Sequence, residues 1–239
     1  MNTVKSTLQA IHQRIADAAA RSGRPAGAVS LLAVSKTVTA DVVRALAAAG
    51  QRDFGESYVQ EALQKMAGLA DLPLVWHFIG PVQRNKTAAI AMHFDWVHSV
   101  DRLLIAERLS AARPEQRGVL NVCLQVNVSG EAGKSGVAPD DAAALAAQVA
   151  RLPRLRLRGL MAIPRATSDR ATQHAQFAAL RHCMEAMNRN GAGLDTLSMG
   201  MSGDLEAAVE EGATIVRVGS ALFGARPGNR IPQEEEPVS

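Results

Sequence analysis

The sequence predicts an α/β fold: one (β/α)8 TIM barrel with an extra helix at its N-terminus. Three observations carry this. Eight short β-type runs recur along the chain, helix-type stretches separate them, and 239 residues suffice for one such barrel. An open doubly wound sheet is the rival, but no GxGxxG pattern follows the first run.

The chain starts on "MNTVKSTLQAIHQRIADAAARSG", where Val4, Leu8, Ile11 and Ile15 recur at helical spacing. That predicts an amphipathic helix ending near Gly23. It lacks a continuous apolar segment and a cleavage site, so a secretory signal is not expected. The first β-type run, 29–35 ("VSLLAVS"), reaches Lys36 and gives way to a helix-type stretch over 40–50. Runs follow at 51–56, 74–80, 95–100 and 121–127, and then a helical stretch spans 140–152. A sixth run at 156–163 precedes the helical stretch 168–190, and the last two runs lie at 195–200 and 214–220. The barrel is expected over 1–228. The final segment, 229–239, combines proline with like charges and no periodicity, and is expected to be disordered.

Composition narrows the function. No run of about 18 apolar residues exists to span a membrane. The net charge is only +3, and five Phe, two Trp and one Tyr are few for base stacking, so no nucleic-acid partner is expected. Cys123 and Cys183 form no CxxC pair, which argues against a disulfide framework and for a reduced, cytoplasmic protein. None of the six histidines falls in an HExxH pattern, and no metal site is expected.

In a barrel of this kind the chemistry sits at the C-terminal ends of the strands. Lys36 ends the first run, so its amine should face the shared mouth. After the seventh and eighth runs come "SMGMSGDLEAA" (198–208) and "VRVGSALFGARPG" (216–228), each a glycine-serine turn opening a helical stretch. Unpaired first-turn N–H groups and the helix dipole favour an anion there, with Ser202 and Ser220 adding hydroxyl donors. Alternation puts Arg217 and Gly219 on the inner face and Val216 and Val218 on the helix side. A structural ion pair of Arg217 with Glu56 or Glu206 is one account; a donor to a ligand is the other. An amine, an anion cradle and a donor that keeps its proton are what pyridoxal 5′-phosphate (PLP) requires. A free lysine has a pKa near about 10.4, which partial desolvation beside an inward arginine would lower.

Two further motifs compete. "SGEAGKSG" (129–136) is not a phosphate loop, because Val128 stands where that pattern needs glycine. Lys134 is left as a second amine on the same face, a solvated loop lysine or a relay that passes PLP outward. His77, inside "WHFIG", is a core histidine or a cofactor contact, and the sequence leaves both open. No GxSxG pattern is present.

Together the motifs "AVSKT" (33–37), "FGESYVQEA" (54–62), "WHFIGPVQRNK" (76–86), "VHSVD" (97–101) and "QVNVSGEAGKSG" (125–136) resemble the pyridoxal phosphate homeostasis proteins. So do "LRGLMAIP" (157–164), "SMGMSGDLEAAVEEG" (198–212) and "VRVGSALFGAR" (216–226). The resemblance covers nearly the whole chain. It implies a monomeric barrel of the alanine racemase N-terminal-domain type, with Lys36 joined to PLP as an aldimine. It also implies phosphate contacts at Ser202, Gly219 and Ser220, and Arg217 on the pyridine side. Ser57, His77 and Met161, each within one of these motifs, are further expected cofactor contacts. Ser57 stands where the family usually carries asparagine, and Val38-Thr39 where it commonly carries Lys-Pro.

The implied role is intracellular PLP storage, buffering or delivery, with apo PLP-dependent enzymes as recipients, and no catalytic residues. The alternative is an amino-acid racemase, which needs a base on each face of the substrate. Racemases of this barrel type carry a second β-domain and a tyrosine from the partner subunit. This sequence ends soon after the eighth barrel helix, and its one tyrosine, Tyr58, opens the helix after the second run. An arginine at the pyridine nitrogen would also weaken the carbanion sink.

Overall fold

A computed structural model describes residues 2–131 and 133–224. Helix α1 (Asn2–Arg21) is followed by β1 (Ser30–Val34), α2 (Ala40–Ala48), β2 (Asp53–Glu56), α3 (Val59–Ala67) and β3 (Val75–Phe78). Next come α4 (Thr87–His93), β4 (Trp96–Val100), α5 (Leu103–Ala112), β5 (Leu120–Gln125), α6 (Pro139–Val149) and β6 (Leu155–Met161). Helix α7 (Arg170–Arg189), β7 (Thr196–Ser198), α8 (Leu205–Glu210), β8 (Ile215–Val218) and α9 (Ser220–Phe223) complete the order. The strands close into a parallel barrel in sequence order, β8 pairing back onto β1 through Leu32–Arg217 and Ala33–Val218.

All eight expected runs are strands, each shorter than its sequence pattern. Ser35, Gly80 and Gly219, at the ends of these runs, lie just past the strands, where the chain turns toward the mouth. Pro139 occupies the first turn of α6, where its missing N–H costs nothing. Asp169 caps α7 by accepting from the Thr172 N–H at 2.9 Å. The expected tail, 229–239, lies outside the described residues. Among the described residues no helix is long and apolar enough to cross a membrane.

Strand alternation sorts the side chains into two cores. Ala33, Phe54, Phe78, Val97, Leu124, Leu160, Leu197, Val216 and Val218 pack outward against the helices. The inner face is unusually polar: His77, His98, Ser198 and Arg217 are all buried within it. Branched aliphatic residues more commonly fill that space. Gly159 lets β6 approach β7, since a Cβ there would lie 1.8 Å from the Thr196 carbonyl oxygen. The added helix α1 buries Leu8, Ile11 and Ile15 and packs against α8 and α9, and Arg24, just beyond its end, ties the chain to the same side. Arg24 donates to the carbonyls of Val209 and Ala213 at 2.8 and 2.7 Å.

Candidate functional site

A cavity of about 680 Å³ opens at the C-terminal ends of the strands. Lys36, Ser57, Ser202, Arg217, Gly219 and Ser220, all expected site residues, line it. Its size suits a small cofactor.

Lys36 leaves β1 on a turn held from behind. Thr37 adopts a φ of 62°, a left-handed conformation that a β-branched residue rarely takes. Its N–H donates to Glu61 Oε1 at 2.5 Å, and the Val38 N–H closes the turn on the Ser35 carbonyl at 3.0 Å. Lys65 sits beneath, its three N–H groups directed to the Ser35 carbonyl (2.7 Å), Glu56 Oε1 (2.6 Å) and Glu61 Oε1 (3.0 Å). The Ser35 hydroxyl also donates to Glu56 Oε1 at 2.6 Å. Glu56 Oε2 is buried with no partner, and burial pushes this carboxyl up against the pull of Lys65. These charge-assisted bonds hold the strained turn, so the amine of Lys36 is presented from a fixed base.

The anion side is built from two loops tied together. The Ala221 N–H donates to Ser202 Oγ at 3.2 Å, joining the turn after β7 to the start of α9. That bond occupies a lone pair on Ser202 and leaves its O–H free to donate into the cavity. Arg14, on α1, donates to the Ser202 carbonyl at 3.2 Å and pairs with Glu206 at 2.7 Å, fixing the turn from outside. Asp204 also lines the cavity, and the sequence offered no sign of it. Its carboxylate accepts from the Met201 N–H at 2.5 Å; burial raises its pKa, while that bond and the Arg217 charge draw it back.

Arg217 points inward, as alternation requires. Neither expected ion pair forms: Glu56 is held by Lys65 and Glu206 by Arg14. Instead Arg217 NH1 donates to the carbonyl and hydroxyl of Ser198 at 2.5 and 2.8 Å, and NH2 to the Ala162 carbonyl at 2.8 Å. Burial brings the guanidinium down to about 10. It is still protonated at neutral pH and can only donate.

Two expected contacts, His77 and Met161, and the candidate relay Lys134 do not line this cavity. His77 sits below the mouth with both ring nitrogens engaged, by His98 at 2.9 Å and Asp53 at 3.1 Å. Met161 ends β6 fully buried, between Gln125 and Ser198 in the ladder, and does not line the cavity. Lys134 pairs with Glu131 inside its own loop. That loop is pulled onto β5, where Gln125 donates to the Ser135 carbonyl and Asn127 to the Glu131 carbonyl, each at 3.0 Å. In the other direction, Thr37, Ile163 and Gln173 line the cavity without having been singled out in the sequence, and Tyr58, named there only as the one tyrosine, lines it too. Tyr58 and Ile163 are exposed at the mouth, where no apolar periodicity could have marked them.

An amine at one strand end, hydroxyl donors on two loops and an inward guanidinium define a barrel of the alanine racemase N-terminal type. Residues 6–227 match the family model described as "Alanine racemase, N-terminal domain". The pyridoxal phosphate homeostasis protein of Pseudomonas aeruginosa is 63% identical over 226 residues, which is 95% of this chain and 97% of that one. Its counterpart in Escherichia coli K12 is 46% identical over 229 residues, 95% and 98% of the two chains. The chain belongs to the pyridoxal phosphate homeostasis protein family. Among solved structures, PipY of Synechococcus elongatus with PLP bound aligns with a TM-score of 0.77 at 42% identity, covering 90% of this chain and 100% of that one. An alanine racemase from Clostridium difficile superposes with a TM-score of 0.77 at 12% identity, over 96% of this chain and 58% of that one. That likeness is one of fold.

Proposed function

We propose that this protein binds PLP covalently through Lys36 and serves in its intracellular storage, buffering or delivery, without robust turnover of amino acids. The observation that supports this most is that Lys36, Ser202, Ser220 and Arg217 share one cavity. The donor set fits PLP group by group: an amine for the aldehyde, hydroxyls for the phosphate and a guanidinium for the ring nitrogen. When bound, PLP supplies an aldehyde that condenses reversibly with an amine and releases water. The residues do the rest. The Glu56–Lys65–Glu61 cluster holds the Lys36 turn, the two serine loops orient the anion, and Arg217 donates without giving up its proton.

Racemisation requires a proton-transfer group on each side of the reacting carbon. Arg217 cannot supply one, Asp204 is held through Oδ1 by the Met201 N–H, and Tyr58, which also lines the cavity, is exposed at its rim. The homologues' name as homeostasis proteins agrees with a carrier. The PLP-loaded protein exposed to a panel of L- and D-amino acids should show no loss of enantiomeric purity. Sustained racemisation of any member would replace the carrier by the enzyme.

A carrier working as a cytoplasmic monomer must hand PLP to apo enzymes. In the proposed route Lys134 takes the aldehyde from Lys36, which requires its loop to break the Glu131 pair and swing. Glycines at 130, 133 and 136, with φ of 63°, 89° and 125°, give that loop its freedom. Transfer to an apo PLP enzyme should be several-fold slower from Lys134→Ala than from wild type, with loading at Lys36 unchanged. Equal transfer rates would remove Lys134 from the route.

A further inference from the structure

The polar inner face of the barrel holds a continuous hydrogen-bond chain that the site described above uses only at its end. From Arg217 NH1 the chain passes to Ser198 Oγ (2.8 Å), and from Ser198 Oγ to His98 Nδ1 (2.7 Å). It crosses from His98 Nε2 to His77 Nδ1 (2.9 Å) and ends from His77 Nε2 on Asp53 Oδ1 (3.1 Å). Ser198 lies on β7 and His98 on β4, so this link spans the barrel interior rather than following one sheet edge. Ser198 and His98 are fully buried, His77 is nearly so, and the Asp53 side chain is 39% exposed where β2 begins.

The chemistry at the two ends orders every proton between them. Asp53, ionised, only accepts, so His77 must carry its proton on Nε2. With neutral rings, His77 Nδ1 then accepts, His98 carries its proton on Nε2, and His98 Nδ1 accepts from the Ser198 hydroxyl. Burial keeps His98 neutral, its pKa well below the ordinary histidine value. From the other end, the guanidinium only donates, so Ser198 Oγ accepts from it and keeps its own O–H for His98 Nδ1. The Arg217 end is compatible with the direction that Asp53 sets, from Arg217 toward Asp53. The His77 ring is held in plane for this by stacking on Trp96, centroid to centroid 5.4 Å and 8° from parallel. The Arg158 guanidinium lies over the Trp96 ring, 4.7 Å from its centroid, and is itself tied to Asp195 and Asn121.

We propose that Ser198, His98, His77 and Asp53 are positioning residues for Arg217: one polarised chain along the barrel interior couples the ligand mouth to a carboxylate at the opposite end. NH1 is fully used by Ser198, and one N–H of NH2 by Ala162. The Nε–H and the second N–H of NH2 are left to face a ligand. The ligand side of this inference rests on the PLP reading above; the chain itself does not.

The test begins on apo protein, with ¹⁵N–¹H long-range spectra of the histidine rings at neutral pH. In wild type the neutral rings of His77 and His98 should both carry the proton on Nε2. An Nδ1–H tautomer or a charged ring at His98 would overturn the chain. Asp53→Asn can offer its amide N–H to His77, so Nδ1–H forms should appear at both rings, including His98, which Asp53 does not touch. Asp53→Glu should restore Nε2–H at both. A His98 tautomer indifferent to Asp53→Asn would sink the coupling, because a merely local role for Asp53 stops at His77. On the ligand side, Ser198→Ala should weaken PLP and pyridoxal alike, each by about tenfold, the effect of one lost hydrogen bond to a charged group. Wild-type affinity in that variant would overturn the positioning role. If wild type itself bound no PLP, the cofactor reading would fail, and the tautomer spectra would still decide the chain.

Discussion

Lys36→Ala will lose all of the PLP that borohydride fixes to the protein, while its thermal unfolding stays close to wild type. The amine is the group in the cavity placed at a strand end opposite the serine loops. The turn that carries it is secured through other atoms: the Ser35 carbonyl and hydroxyl, the Thr37 N–H, and the Lys65 ammonium with Glu56 and Glu61. None of those bonds uses the Lys36 side chain, which is half-buried at the rim. Removing it should change stability by no more than about 0.5 kcal/mol, as for surface sites generally. Mass spectrometry after reduction checks the covalent loss, and a thermal melt checks the fold. Stoichiometric PLP on the reduced variant would move the covalent site away from Lys36.

Replacing Ser202 and Ser220 together by alanine should separate PLP from pyridoxal. Each hydroxyl offers a charge-assisted hydrogen bond to a phosphate oxygen, worth about 1.5–3 kcal/mol. The pair therefore sets a loss of about two to four orders of magnitude in PLP affinity. Pyridoxal, which lacks the phosphate, should bind the double variant much as it binds wild type. Ser202 also accepts from the Ala221 N–H, so its loss loosens the junction of the two loops. Ser220→Ala alone, at an exposed position, isolates the hydroxyl from that junction. Equal weakening of both ligands would show that the phosphate sits elsewhere. The contrast with Ser198→Ala, expected to weaken both ligands alike, distinguishes the phosphate side of the cavity from the Arg217 side.

The barrel was legible because its signal is local. A strand alternates every second residue and a helix returns every 3.6, and each pattern is complete within a dozen residues. The strand-end position of Lys36, the two glycine-serine turns and the inward aim of Arg217 follow from that periodicity and from the rule that barrel chemistry sits at strand C-termini. The motifs added the family and its ligand. Alternation, however, says which face a side chain takes and not how deep it lies. His77 shared the inner face with Arg217, yet it sits below the mouth; Met161 at the end of β6 and Lys134 in the loop after β5 do not line the cavity. Partners were even less accessible. His98 meets Ser198 100 residues away, Arg14 meets Glu206 192 away, and Lys65 meets the Ser35 carbonyl 30 away. Such contacts arise only when the sheet closes and brings β7 across from β4, and α1 against α8. No short window of sequence contains both His98 and Ser198, or both Arg14 and Glu206. Periodicity placed the reactive groups on their faces, and closure of the barrel chose which of them touch.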